Sequence, residues 1–253
     1  MIDAHAHLAD DRFAADLDDV LVHARDAGVA RILACGEDVA SSERTIEIAR
    51  RDRLVRAAVG IHPHRAATCD AAALARLREL ARDERVVAIG EIGLDLSGRS
   101  APRPSQEAAL VAQLALAAEL GLPVCLHVRD AGPEVRAVLD GVTHGTGYIH
   151  CYSETANEVD GWIERGFFVS FAGTVTYPRA DVLRAAAAVV PDERLLVETD
   201  APALAPQRRR GRRNEPAAIG ETYQTVARLR GRDVPSVAEL VSRNAASLFG
   251  PCW

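Results

Sequence analysis

The chain is predicted to fold as an α/β protein, a single (β/α)8 barrel occupying residues 1–253. Three observations predict this. Eight short apolar, β-branched runs alternate with longer amphipathic stretches. The stretches supply the crossovers that parallel strands require. The length of 253 residues also matches the ~250 that eight strand–helix units occupy in a barrel.

The strands are expected at residues 2–7, 31–35, 55–60, 86–92, 123–128, 148–151, 167–171 and 195–198. A first helix runs from Asp16 to Ala27 and stops at Gly28. Ser105 is the expected N-cap of a helix closed by Gly121, and Ser153 of one closing near Gly166, following the usual cap chemistry. Helical patterns at 216–230 and 234–248 complete the outer ring. No strand is followed by a glycine-rich dinucleotide fingerprint, which disfavours an open nucleotide-binding sheet. No linker or internal repeat divides the chain.

Composition excludes several classes. Hydrophobic residues make up 48% and charged residues 26%, the balance of a folded globular protein rather than a mainly disordered one. No apolar run reaches the ~18 residues needed to span a bilayer; the best, 108–128, is broken by Gln113, Glu119 and Pro123. A basic segment followed by an apolar one is missing from the N-terminus, so a signal peptide is not expected and the location is read as cytoplasmic. The five cysteines (Cys35, Cys69, Cys125, Cys151, Cys252) are odd in number and lack Cys-x-x-Cys spacing. That argues against a disulfide framework and a zinc knot. Cys35, Cys125 and Cys151 are expected to pack as small hydrophobes. A net charge of −6 argues against a protein that coats nucleic acid, though not against a locally basic cleft.

The informative pattern lies at the strand ends. His5 and His7 end the first strand, on one face by the two-residue period. Glu91 ends the fourth strand, His127 the fifth, His150 the sixth, and Asp200 follows the eighth. In a parallel barrel these ends share one mouth. A lone histidine at a strand end is more often structural; the convergence of six residues points to a metal centre. Imidazole and carboxylate suit Zn, Mn, Fe or, with more water, Mg. Six candidate ligands exceed the need of one ion, so two divalent ions are expected, an arrangement suited to hydrolysing a phosphoester. The chain contains no lysine, which rules out a carboxylated-lysine bridge between the ions. Glu91 is the expected bridge and Asp200 both a ligand and the general base.

On the substrate side, His62 is the candidate donor to a phosphate oxygen, and His64 is expected to fix its loop. Arg129 could pair with a phosphate or form a structural salt bridge. The run containing Arg208, Arg209, Arg210, Arg212 and Arg213 either gathers a polyanionic substrate or is a solvated loop, with Asn214 and Glu215 fixing it. Aromatics are only 4% of the chain; Tyr152, Phe171 and Tyr177 are those near strand ends. His23 and His144 are given no role.

The ordered series Asp3-Ala4-His5-Ala6-His7-Leu8, Gly60-Ile61-His62-Pro63, Gly90-Glu91-Ile92-Gly93-Leu94-Asp95, His127-Val128-Arg129-Asp130, His150-Cys151-Tyr152-Ser153 and Glu198-Thr199-Asp200-Ala201-Pro202 resembles that of TatD-family hydrolases. Arg213-Asn214-Glu215-Pro216 and Asn244…Leu248-Phe249-Gly250 extend the resemblance. It implies a TIM-barrel metal-dependent hydrolase, often a 3′–5′ deoxyribonuclease. It assigns His5, His7, Glu91 and Asp200 to one metal and Glu91, His127 and His150 to the other, with His62 near the bound phosphate. The chain departs from the family pattern at Ala4 and Ala6, at Leu96-Ser97-Gly98-Arg99, and at Ser153-Glu154-Thr155. None of these removes a ligand. The expected activity is phosphodiester cleavage with two divalent ions (Zn, Mg or Mn), acting on 3′ ends of single-stranded DNA. The competing readings are hydrolysis of a carboxylic ester or amide, such as an aminoacyl-tRNA ester, and a metal-binding role in a multi-protein system.

Overall fold

The computed structural model describes residues 1–98, 100–143, 145–250 and 253; Arg99, His144 and Cys252 lie outside the described residues. The strands are β1 (Ile2–Ala6), β2 (Arg31–Cys35), β3 (Val55–Val59), β4 (Val86–Asp95), β5 (Val124–Arg129), β6 (Gly147–Ile149), β7 (Phe167–Phe171) and β8 (Leu195–Val197). All pair in parallel, in chain order. The sheet closes just beyond its last strand: the His7 amide donates to the Ala201 carbonyl at 2.7 Å and the Asp200 amide to His5 at 2.9 Å. This is the expected (β/α)8 TIM barrel.

The helices are α1 (Leu17–Asp26), α2 (Val39–Arg51), α3 (Ala71–Leu80), α4 (Arg103–Leu120), α5 (Gly132–Asp140), α6 (Val159–Ile163), α7 (Asp181–Val189), α8 (Ile219–Leu229) and α9 (Val234–Phe249). Among the described residues, no helix is long and apolar enough to cross a membrane. Two expected caps are displaced. α4 begins at Arg103 after Pro102, which leaves Ser105 inside its first turn. The chain after Ser153 first makes a 3-10 turn capped reciprocally by Thr155 and Glu158, and only then α6. Gly121, at φ 65°, ends α4 as expected, since glycine enters the left-handed region without a Cβ penalty.

Two strands depart from regular pairing where it matters. Between Asp3 and Ala6, β1 carries one more residue than its partner segment on β2, and β4 does the same between Ile89 and Ile92 against β5. Such bulges re-aim a side chain, and these segments contain His5 and Glu91. β4 also runs on to Asp95, three residues past its expected end, paired with β5 through Gly93–His127 and Asp95–Arg129. Gly93 permits that approach: a Cβ there would lie 1.9 Å from the His127 carbonyl oxygen, and its φ is 149°. β6 and β8 are shorter than expected, so His150 and Asp200 stand on the loops just beyond them.

Candidate metal centre

The six expected ligands meet at the mouth of the barrel around one carboxylate. Glu91, 1% exposed, divides its two oxygens between two groups of imidazoles. Oε2 lies 3.3 Å from both His5 Nε2 and His7 Nε2. Oε1 lies 2.7 Å from His127 Nδ1 and 2.8 Å from His150 Nε2. Asp200 Oδ1 completes the first group, 3.4 Å from His7 Nε2 and 3.9 Å from His5 Nε2.

These residues fit divalent cations on the protein's own geometry. Glu91 Oε2 is buried without a hydrogen-bond donor, a costly state for a charged oxygen unless a cation stands before it. His5 Nε2 and His7 Nε2 face each other at 3.2 Å, and His127 Nδ1 and His150 Nε2 do the same at 3.2 Å. Neutral ring nitrogens that share a tautomer would oppose lone pairs there; a shared cation resolves both conflicts.

Each imidazole is held from behind, the arrangement that fixes tautomer and aim in metal sites. His7 Nδ1 lies 3.2 Å from the Cys35 carbonyl and donates to it. His150 Nδ1 faces Glu198 Oε1 at 3.2 Å, and His127 Nε2 faces Asp95 Oδ2 at 3.5 Å. Behind His5, Nδ1 meets the Tyr148 hydroxyl at 3.2 Å, whose proton goes to the Ala4 carbonyl at 2.8 Å. Cys125 and Cys35 Sγ flank the same nitrogen at 3.2 and 3.4 Å. These two cysteines are therefore polar neighbours of a candidate ligand rather than simple filler. Cys151, half-buried, lines the cavity at the mouth instead of packing in the core.

Charge follows the same geometry. Burial pushes His150 down, yet the Glu91 and Glu198 carboxylates raise it to about 9. Burial likewise opposes the charged forms of His7 and His127, but their carboxylate partners hold both above the ordinary imidazole value. Glu91 and Asp200 are pushed up by burial and pulled below the usual carboxylate range by the surrounding histidines.

His62 reaches the same centre, with Nε2 3.4 Å from Glu91 Oε1 and 3.2 Å from His127 Nδ1. Its Nδ1 accepts the His64 amide at 3.1 Å. Burial lowers its pKa despite Glu91, so the ring is neutral with its proton on Nε2. In that tautomer His62 is a donor aimed into the site, with Glu91 and His127 close enough to share a cation with its Nε2. His64 does fix its loop, 2.9 Å from Asp95 Oδ2. Arg129 is exposed at the end of β5 and lines a 380 Å³ cavity together with His127, His150 and Asp200. It makes no ion pair among the described residues.

Sequence reading missed the supporting shell. Asp95 carries no sequence signal beyond closing the Gly90-Glu91-Ile92-Gly93-Leu94-Asp95 stretch. Burial pushes its carboxyl up, but the nearby His127 imidazole and hydrogen bonds from Ser97 and His64 keep it well below the usual range. Glu198 precedes Asp200 by two residues, which hints at a shared face, and its Oε1 also accepts the Cys151 amide at 2.8 Å. Asp3 lies two residues before His5. It accepts the Thr199 amide at 2.9 Å and the Thr199 hydroxyl at 2.5 Å, which fixes the corner carrying Asp200; burial raises its carboxyl to about 7. Asn214, expected to fix its loop, secures that corner from the other side, donating to the Thr199 carbonyl at 2.9 Å.

The arginine run divides by residue. Arg213 is committed to Asp16 and Glu215, which is why Asp16 makes no cap hydrogen bond to α1. Arg209 pairs with Glu221 at 3.2 Å. Arg210 lies over the Tyr177 ring, 4.7 Å from its centroid. Of the three aromatics near strand ends, Tyr152 and Phe171 are buried against each other, leaving Tyr177 at the surface.

A family model described as TatD related DNase matches residues 2–250. A protein named 3′-5′ ssDNA/RNA exonuclease TatD from Cronobacter sakazakii is 39% identical over 256 residues, covering 98% of this chain and 97% of its own. An uncharacterized metal-dependent hydrolase, YabD, from Bacillus subtilis is 34% identical over 251 residues, covering 98% of each chain. Among solved structures, the TatD homolog YJJV from Escherichia coli matches with a TM-score of 0.91 at 29% identity, over 98% of this chain and 97% of that one.

Proposed function

The chain belongs to the TatD-related DNase family of metal-dependent hydrolases, and from that premise we propose that it removes nucleotides from the 3′ end of single-stranded DNA, as one catalytic domain holding two divalent ions. His5, His7, Asp200 and Glu91 Oε2 would hold one ion; Glu91 Oε1, His127 and His150 would hold the other. The observation that carries this reading is the carboxylate of Glu91, whose two oxygens each face imidazoles braced from behind. Zn, Mg and Mn are the ions to compare, because such donor sets select by geometry and availability. The cytoplasm suits a chain whose thiols Cys35 and Cys125 stand reduced beside His5.

Ions held there supply Lewis-acid activation of a water and charge to offset that developing on the phosphate. The protein's groups do the rest. Asp200 borders the mouth cavity as a carboxylate, placed to orient the attacking water and take its proton. His62 presents its Nε2–H to a phosphate oxygen, and Arg129 presents a guanidinium from the end of β5. The bulges fix His5 and Glu91, and the Asp3–Thr199 bonds fix the corner carrying Asp200, before substrate arrives, so these groups need little reorganisation at the moment of reaction.

The test is release of nucleotides from 3′-labelled single-stranded DNA, with single-stranded RNA in parallel because the Cronobacter relative's name includes it. EDTA and Asp200→Asn should each lower the rate, the substitution by about 10²–10⁴-fold, the range of a lost general base. Wild-type turnover in Asp200→Asn, or activity surviving EDTA, would overturn the assignment.

A further inference from the structure

Two cavities open at the barrel mouth and share a wall made by Ser153 and Thr174. The smaller, of 380 Å³, lies over the metal centre. The larger, of 730 Å³, is lined by Tyr177, Pro178, Arg179, Leu183 and Arg210 among others. Hydrolysis at the metal centre does not require this second space. We propose that it is a nucleotide subsite, holding the nucleotide next to the scissile bond with its base against the Arg210–Tyr177 stack and its phosphate on Arg179 and Arg210. The proposal rests on the nuclease reading.

Four observations carry it. The volume lies within the roughly 300–1,000 Å³ typical of small-molecule sites. The lining holds two arginines and no acid, in a chain with 36 acidic residues and a net charge of −6. Neither arginine has a carboxylate partner among the described residues, whereas Arg209 and Arg213 of the same run are both paired. Apart from Ser153 and Thr174 the remaining wall is apolar or aromatic, including Val182, which is 51% exposed.

That combination suits a nucleotide. The guanidinium lying on a tyrosine ring offers a flat cationic face on which a base can stack, and it remains free to meet a phosphate. Tyr177 is fixed beforehand, its hydroxyl donating to the Ala205 carbonyl at 3.0 Å. A solvated loop would leave Arg210 extended into water. Here it is laid down on Tyr177 along a cavity that adjoins the one over the metal centre.

The experiment compares kcat/KM on two substrates. One is a short single-stranded oligonucleotide; the other is thymidine 5′-(p-nitrophenyl phosphate), which reaches the metal centre but has no neighbouring nucleotide. Arg210→Gln should lower kcat/KM on the oligonucleotide about tenfold, mainly through KM, the scale of one lost stacking contact. The small ester should be cut at the wild-type rate. Arg210→Gln should also weaken anisotropy-measured binding of the labelled oligonucleotide in EDTA, where no turnover occurs. Arg208→Gln, at an exposed position that does not line the cavity, should do neither. Unchanged oligonucleotide binding by Arg210→Gln, equal losses on both substrates, or an equal loss in Arg208→Gln would each overturn the subsite. A wild-type chain inert towards both substrates would instead refute the nuclease reading, and this proposal with it.

Discussion

Replacing Glu198 with glutamine keeps the shape of the side chain and removes its charge. Oε1 accepts the Cys151 amide at 2.8 Å and lies 3.2 Å from His150 Nδ1; an amide oxygen can serve both. The new NH2 replaces Oε2, which is buried without a hydrogen-bond partner, so no existing bond is broken and a neutral group replaces an unpaired charged oxygen; the fold should survive. What disappears is the charge assistance of the hydrogen bond behind a candidate ligand, a difference of about 1–2 kcal/mol between a charged and a neutral bond. The expected loss in metal affinity lies towards the lower end of the roughly 10–100-fold found for such supporting partners. A second effect opposes the first. Glu198 helps to hold His150 at about 9, so its removal also weakens proton competition for that ring. The deficit should therefore be largest near pH 9 and narrow towards pH 7. The assay is the metal dependence of 3′-end cleavage by metal-depleted protein across that range. Turnover at saturating metal should be little changed. A wild-type activation constant at pH 9 would show that Glu198 does not brace a ligand, and collapse of turnover at saturating metal would place it on the substrate instead.

Two further outcomes follow from the same geometry. In the metal-free protein His150 sits near 9 against an ordinary 6.5, which stabilises the metal-free fold fully below 6.5 and is lost as pH rises through 9. Metal affinity should run the other way, rising towards pH 9 with release of protons; calorimetry in buffers of different ionisation enthalpy reads this directly, and proton-independent binding would refute it. Gly93→Ala would set a Cβ against the His127 carbonyl, breaking the β4–β5 ladder at a cost above about 4 kcal/mol. A wild-type urea midpoint for that variant would show that the close approach is not needed.

The barrel and its six candidate ligands were legible because both rest on local rules. Apolar runs alternating with helical periods announce parallel strands, and parallel closure sends every strand's end to one mouth. His5, His7, Glu91, His127, His150 and Asp200 could therefore be collected from positions along one dimension. The limits of the elements were less legible. Ser105 and Ser153 look like caps, but Pro102 and Thr155 begin those turns, since several residues can compete for one terminus and packing decides among them.

What only the tertiary structure decided is how the ligands are held and which charges remain free. Tyr148, Cys35 and Cys125 reach His5 across the barrel interior, and Tyr148 lies 143 residues away in the chain. Asp3 and Thr199 are 196 apart. No periodicity links such pairs; they meet because the sheet closes. The role of His62 turns on one amide, that of His64, which fixes where its proton sits. The arginine run read as a single basic segment, yet Asp16, Glu215 and Glu221 neutralise two of its members while Arg210 is left on Tyr177 beside the site. Sequence determines which groups stand at a strand end; the partners that set their protons and their charge come from distant segments, because electrostatic and hydrogen-bonding contacts follow distance in space.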